Sequence, residues 1–152
     1  MNYTALETDI VRHLQAGGQD ANGQMPERSV SDGHGNPCHH CLKEIPDGAD
    51  MLVLAYRPFP TLHPYAETGP LFLCAAPCDR GGGCGLPEIL TMSPDYLVKG
   101  YGANDRIVYG TGSVMPQPDL HTLAQKLLDD PRVAYLHVRS ARNNCYQLRI
   151  AP

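Results

Sequence analysis

Five of the six cysteines in this 152-residue chain fall between positions 38 and 84, in two close pairs and a follower. Cys38-His39-His40-Cys41 is a C-x2-C pair introduced by Gly35-Asn36-Pro37, and Cys74 and Cys78 make a C-x3-C pair at the end of an apolar run. Cys84 follows in a glycine-rich stretch. A tight turn between two cysteines lets both thiolates face one ion, and two such turns joined by a sheet make a tetrahedral four-sulfur site. Soft sulfur donors select zinc over magnesium or calcium. The expectation is therefore a structural zinc held by Cys38, Cys41, Cys74 and Cys78, with His39, His40 and Cys84 as substitute ligands. Four protein donors close the coordination sphere, so such a zinc would stabilise the fold without being catalytic. Two other readings stay open. The cysteines can be buried small hydrophobes, or redox-active thiols with Cys38 and Cys41 as the pair.

Composition narrows the setting. One domain suits the length, and 42% hydrophobic with 18% charged residues suits a folded chain. Twelve basic against sixteen acidic residues leave a net charge of −4, which argues against a nucleic-acid binder relying on phosphate attraction. Fifteen glycines and fourteen prolines promise long, sharply turned loops. Residues 1–18 lack the basic and apolar regions of a secretory signal, and no apolar run approaches a membrane span. The expected compartment is the cytoplasm, where thiols stay reduced.

The first segment reads as a helix with a capping box from Thr4 to Glu7 and a stripe of Leu6, Ile10 and Leu14, stopped at Gly17-Gly18. Residues 19–37 are turn-rich, with at most one short strand at 28–31. Residues 1–36 thus read as a helix and mobile loop arm, and residues 37–152 as the body. Strands are expected at 51–56 and 71–74, separated by a connection carrying Pro58, Pro60 and Pro64, which cannot join a ladder. A short helix is expected at 87–92 and a hairpin of 96–101 with 106–109 around Asn104-Asp105. Between Asp119 and Asp129, Leu120, Leu123, Ala124, Leu127 and Leu128 form an apolar helical stripe. Strands at 133–139 and 145–150 follow. With no regular βαβ alternation, the class is α+β: a single domain with a mixed or antiparallel sheet, an amphipathic helix packed on it, and a pair of zinc knuckles.

The last two strands flank a polar turn with its own chemistry. Arg132, Arg139, Arg142 and Arg149 follow Asp130 with no intervening carboxylate side chain. Guanidinium groups beside the amides of Asn143 and Asn144 suit a small anionic ligand, with Arg139, Arg142, Asn143 and Asn144 as its binding residues. His137 and Cys145 face each other across the turn, an arrangement that can activate a thiol nucleophile. The plainer alternative is a solvated turn with a buried, inert Cys145. The glycines at 81–83 lack a phosphate-loop pattern and read as a mobile loop tip. His63 and Tyr65, around Pro64, read as a pocket rim or as surface packing.

Several strings are more distinctive than the cysteine pairs. Gly35-Asn36-Pro37-Cys38, Leu42, the run 51–54, Arg57-Pro58-Phe59, Pro64-Tyr65-Ala66 and Gly69-Pro70-Leu71-Phe72 occur in order. The tail Asp130-Pro131-Arg132-Val133-Ala134-Tyr135, His137-Val138, Ala141-Arg142 and Cys145 follows. Together they resemble a bacterial family known as domain of unknown function 1203, from about residue 37 to the end. The resemblance implies kinship and brings no activity with it. The functional expectation is a small binding or accessory module with a structural zinc and a ligand-facing C-terminal hairpin. The alternative is a thiol-dependent hydrolase or transferase using Cys145 and His137.

Overall fold

A computed structural model describes all 152 residues as two helices and eleven short strands in three sheets, with every strand pair antiparallel. In chain order the elements are β1 (Asn2–Thr4), α1 (Thr8–Gln15), β2 (Glu27–Val30), β3 (Pro37–Cys38), β4 (Lys43–Glu44), β5 (Asp50–Tyr56) and β6 (Gly69–Cys74). There follow β7 (Gly82–Gly83), β8 (Asp95–Tyr101), β9 (Ser113–Pro116), α2 (Leu120–Leu128), β10 (Tyr135–Ser140) and β11 (Tyr146–Ala151). The fold is α+β, as expected. No helix is long and apolar enough to cross a membrane.

The large sheet runs β7-β1-β11-β10-β8-β9. Alternation along β10, and along β11 as far as the bulge between Leu148 and Tyr146, gives it two unlike faces. Leu136, Val138, Leu148 and Ile150 point to one side, where they bury Leu120 and Ala124 of α2 in the main core. Tyr135, His137 and Arg139 point to the other side. The small sheet, β2-β5-β6, forms a second core in which Met51, Leu52, Leu54, Leu71 and Leu73 meet Val11 and Leu14 of α1. Tyr146 belongs to that second core and is the sheet-to-sheet contact, its ring 5.7 Å from that of Tyr56.

Four local expectations need correction. Thr4 does not cap α1: it ends β1, paired with Arg149 on one side and Gly82 on the other, while Glu7 pairs with Arg80 at 2.5 Å. Of the expected α1 stripe, Ile10 is 43% exposed and Val11 takes its place in the core. The partner ladder of β8 is β9, not residues 106–109. The reason is Thr111, whose hydroxyl accepts the Gly100 N–H at 2.9 Å and donates to Val108 O at 2.6 Å. That side chain replaces a strand partner and arches the intervening residues away after a single bridge at Tyr101 and Ile107. Lastly, Gly82 and Gly83 are no loose loop tip but a two-residue strand on β1.

Residues 1–36 contribute β1 to the large sheet, α1 to the second core and β2 to the small sheet. Asp20 fastens the connection between α1 and β2, accepting from the backbone N–H of Asn22, Gln24 and Ala55.

Candidate metal centre

The sulfurs of Cys38, Cys41, Cys74 and Cys78 all lie within 4.8 Å of one another. Cys38 ends β3 and Cys74 ends β6, so the first knuckle leaves the sheet edge at the level where the second begins. Leu42 makes the first turn possible by taking a left-handed φ of 59° immediately after Cys41. The Cys38–Cys78 sulfur separation is 3.9 Å. Two thiolates bound tetrahedrally to zinc at about 2.3 Å stand about 3.8 Å apart, the spacing this pair already has.

Electrostatics inside the cluster favour charge on one sulfur. The Cys38 thiol is held far below the usual thiol range, chiefly by hydrogen bonds from Cys41 and then Cys74. The Cys74 backbone N–H also donates to it at 3.3 Å. Cys41 and Cys74 are pushed up because they donate to that thiolate, and Cys78 is pushed up to about 12 by burial and the nearby negative charge. Crowded sulfurs that cannot ionise together without a counter-charge are what a soft dication neutralises.

A supporting shell surrounds the cluster. His40 is fully buried, with Nδ1 3.2 Å from Cys78 Sγ and Nε2 3.0 Å from Thr8 Oγ1. Arg12 donates to Cys78 O at 2.7 Å, and Gln15 donates to Cys74 O at 2.8 Å and Ala76 O at 2.9 Å. Thr8, Arg12 and Gln15 stand at i, i+4 and i+7, a polar stripe on α1 that clamps the second knuckle. Reading α1 for apolar residues alone misses them, though their spacing was visible. Arg80 ties the far side of the knuckle to the carbonyls of Ala5 and Leu6. His39, one of the substitute ligands considered, faces away from the sulfurs. Its Nε2 lies 2.8 Å from Tyr146 O and its Nδ1 2.9 Å from Phe72 O, so both ring nitrogens face backbone carbonyls. Cys84 is exposed and outside the cluster.

The hairpin residues occupy three places. Arg139 is buried against Glu67, Nη2 to Oε2 at 2.7 Å, an ion pair whose angle falls off the hydrogen-bond direction; its Nη1 donates to Asn144 O at 3.0 Å. Asn144 itself turns the chain at a φ of 56°. Arg142 is exposed beside Asp95 at 3.3 Å. Asn143 and Cys145 line a cleft of about 240 Å3 with Ser140, Gln147, His39 and Tyr96. The Cys145 thiol donates to Asn143 O at 3.7 Å. His137 instead lies among the rings of Tyr101, Tyr146, Phe59 and Tyr135, with centroids 4.7–5.1 Å away. Burial, reinforced by Arg139, Arg149 and Lys99, holds its pKa well below the ordinary imidazole value. No hydrogen bond joins His137 to Cys145, the link a base–nucleophile dyad needs. His63 and Tyr65 pack, respectively, on Phe59 and against the Tyr109 hydroxyl at 3.1 Å.

The family model described as protein of unknown function (DUF1203) matches residues 35–151, most of the chain. No curated protein sequence and no solved structure matches.

Proposed function

This chain belongs to the DUF1203 family, and on the geometry of its cysteine centre we propose that it is a small binding module held together by a structural zinc ion. The observation that carries the metal is the convergence of four thiols from two separate turns to within 4.8 Å. Zinc would sit between Cys38, Cys41, Cys74 and Cys78, supplying cross-linking rather than chemistry, because four sulfurs leave no open position. His40, aimed at Cys78, orients a ligand in the manner of an outer-shell histidine. Six unbridged cysteines suit a reducing compartment, the cytoplasm.

The hairpin of β10 and β11 is the ligand-facing element. Its cations, Arg139 and Arg149, together with Lys99 of the neighbouring strand, suit a small anion, whereas a net charge of −4 disfavours nucleic acid. Elemental analysis of purified protein tests the metal. About one zinc per chain is expected, with Zn–S distances near roughly 2.3 Å. Cys38→Ser should lose the zinc and lower the melting temperature by more than about 10 °C, since metal-binding energy here is folding energy. A metal-free protein of full stability would refute the reading.

A further inference from the structure

Four buried side-chain polar atoms with neither a hydrogen bond nor an ion-pair partner gather in one part of the molecule: His63 Nε2, Tyr101 Oη, His137 Nδ1 and Arg139 Nε, beside the ion pair of Glu67 Oε2 and Arg139 Nη2. Folded proteins leave few such atoms, and each calls for an explanation. These lie on the face of the large sheet opposite α2, beneath the proline-rich connection of residues 57–68. Tyr101, His137 and Arg139 form the floor; Phe59, His63 and Glu67 form the roof, with Phe59 5.4 Å from the Tyr101 ring and 5.1 Å from the His137 ring.

The open valences are mostly donors in a cationic setting. The Tyr65 N–H donates to His63 Nδ1 at 3.2 Å, which leaves Nε2–H as the donor. Arg149 lies 3.6 Å over the Tyr135 ring. Asp105 is engaged by the Tyr135 hydroxyl at 2.6 Å. Glu67 is therefore the one carboxylate between the cations, with Oε1 2.9 Å from Lys99 Nζ and Oε2 2.7 Å from Arg139 Nη2. The two partners are unlike: the Arg139 side chain is 4% exposed, whereas that of Glu67 is 34% exposed and reaches in from the roof. A planar carboxylate bridging an ammonium and a guanidinium is thus already displayed, with aromatic walls beside it.

We propose that this layered site, opened by lifting the connection, binds an organic carboxylate with an aromatic or apolar body, and that Glu67 is a resident stand-in which the ligand displaces. The proposal rests on the reading of the protein as a small-ligand binding module, and not on the metal. Lifting the roof means unpacking Phe59, which is buried on Tyr101 and His137, and parting Glu67 from its two cations. Pro58, Pro60 and Pro64 keep the connection out of any ladder, Leu62 at its tip is 79% exposed, and the Tyr65–Tyr109 hydroxyl contact is at the surface. With Glu67 withdrawn, a ligand carboxylate inherits Lys99 and Arg139 and gains the Tyr101 hydroxyl, while Tyr101 and Tyr135 of the floor flank its body.

Benzoate titrated into the full-length protein, followed by NMR, tests this; acetate and inorganic phosphate serve as contrasts. Benzoate should shift the signals of Tyr101, His137 and Arg139, and should bind more tightly than acetate. Glu67→Gln, which removes the competing charge, should tighten benzoate by about tenfold, and Lys99→Met should weaken it by a similar factor. If Glu67→Gln does not fold, Glu67→Asp, too short to span both cations, should tighten binding in the same direction. Unchanged affinity in the folded Glu67 variant overturns the stand-in role. Phosphate binding in place of benzoate overturns the ligand class. Shifts confined to the Asn143–Cys145 cleft overturn this layered site and leave the binding-module reading intact. No response to any of the three probes overturns both.

Discussion

Three buried histidines set the acid limit of this fold. His39, His40 and His137 are each held below the ordinary imidazole value of 6.5, in each case first by burial. An unfolded chain takes up protons at these positions as pH falls through 6.5, whereas the folded chain does not. Stability contributed by the neutral rings is therefore complete above that pH and is lost below it, by up to about 1.4 kcal/mol per pH unit for each group. Urea midpoints should fall from pH 7.5 to pH 5, and His137→Phe, which keeps a ring in the cage, should make the fall shallower. An unchanged slope in that variant would contradict the assignment. A second position is set by backbone alone. Gly82 holds a φ of 119°, and an added Cβ would stand 2.6 Å from Tyr3 O. Gly82→Ala should cost about 2 kcal/mol through strain and displacement of β1, measurable as a lower urea midpoint with an unchanged m-value.

At the level of elements, α1 acts as a clamp on the second knuckle. Arg12→Ala removes a charged donor from Cys78 O, worth about 1.5–3 kcal/mol, and Gln15→Ala removes two neutral bonds worth about 1 kcal/mol each. Both variants should release zinc to a chelator faster than the parent while keeping α2 intact; equal release rates would show that α1 packs beside the centre without supporting it. This role was illegible from residues 1–18 alone, because the accepting carbonyls come from a distant part of the chain. What was legible was local in origin. The cysteine spacings, the apolar stripe of α2 and the run at 51–54 each carry their own periodicity, and each takes the structure it implies. Thr4 misled because a capping pattern and a strand end use the same residue, and pairing with Arg149 and Gly82 won. Arg139 reads from sequence as the end of a strand and a ligand-binding partner of Arg142, Asn143 and Asn144. Alternation along β10 instead turns it inward beside His137, where Glu67 meets it.

In the molecule as a whole, the two larger of the three sheets have separate cores joined at Tyr146 and at the base of the cysteine knuckles. Zinc removal should therefore not melt it evenly. Chelation should speed hydrogen exchange first in α1, β5 and β6, while α2, β8 and β10 stay protected longer; uniform loss of protection would mean that the two cores unfold as one. The position of β1 carries a different consequence. It lies between β7 and β11, with Asn2 opposite Ala151, so β1 waits for β11 to be synthesised before both its edges are paired. Both knuckles are synthesised well before β11, and a nascent chain can load its metal while the large sheet is still missing its middle. Closing that sheet means bringing together residues separated by nearly the whole chain, a contact of the slowest kind. Co-translational maturation would then run in the order of metal first and completion of the six-stranded sheet last, with a chaperone-vulnerable interval between them whose length is set by translation speed.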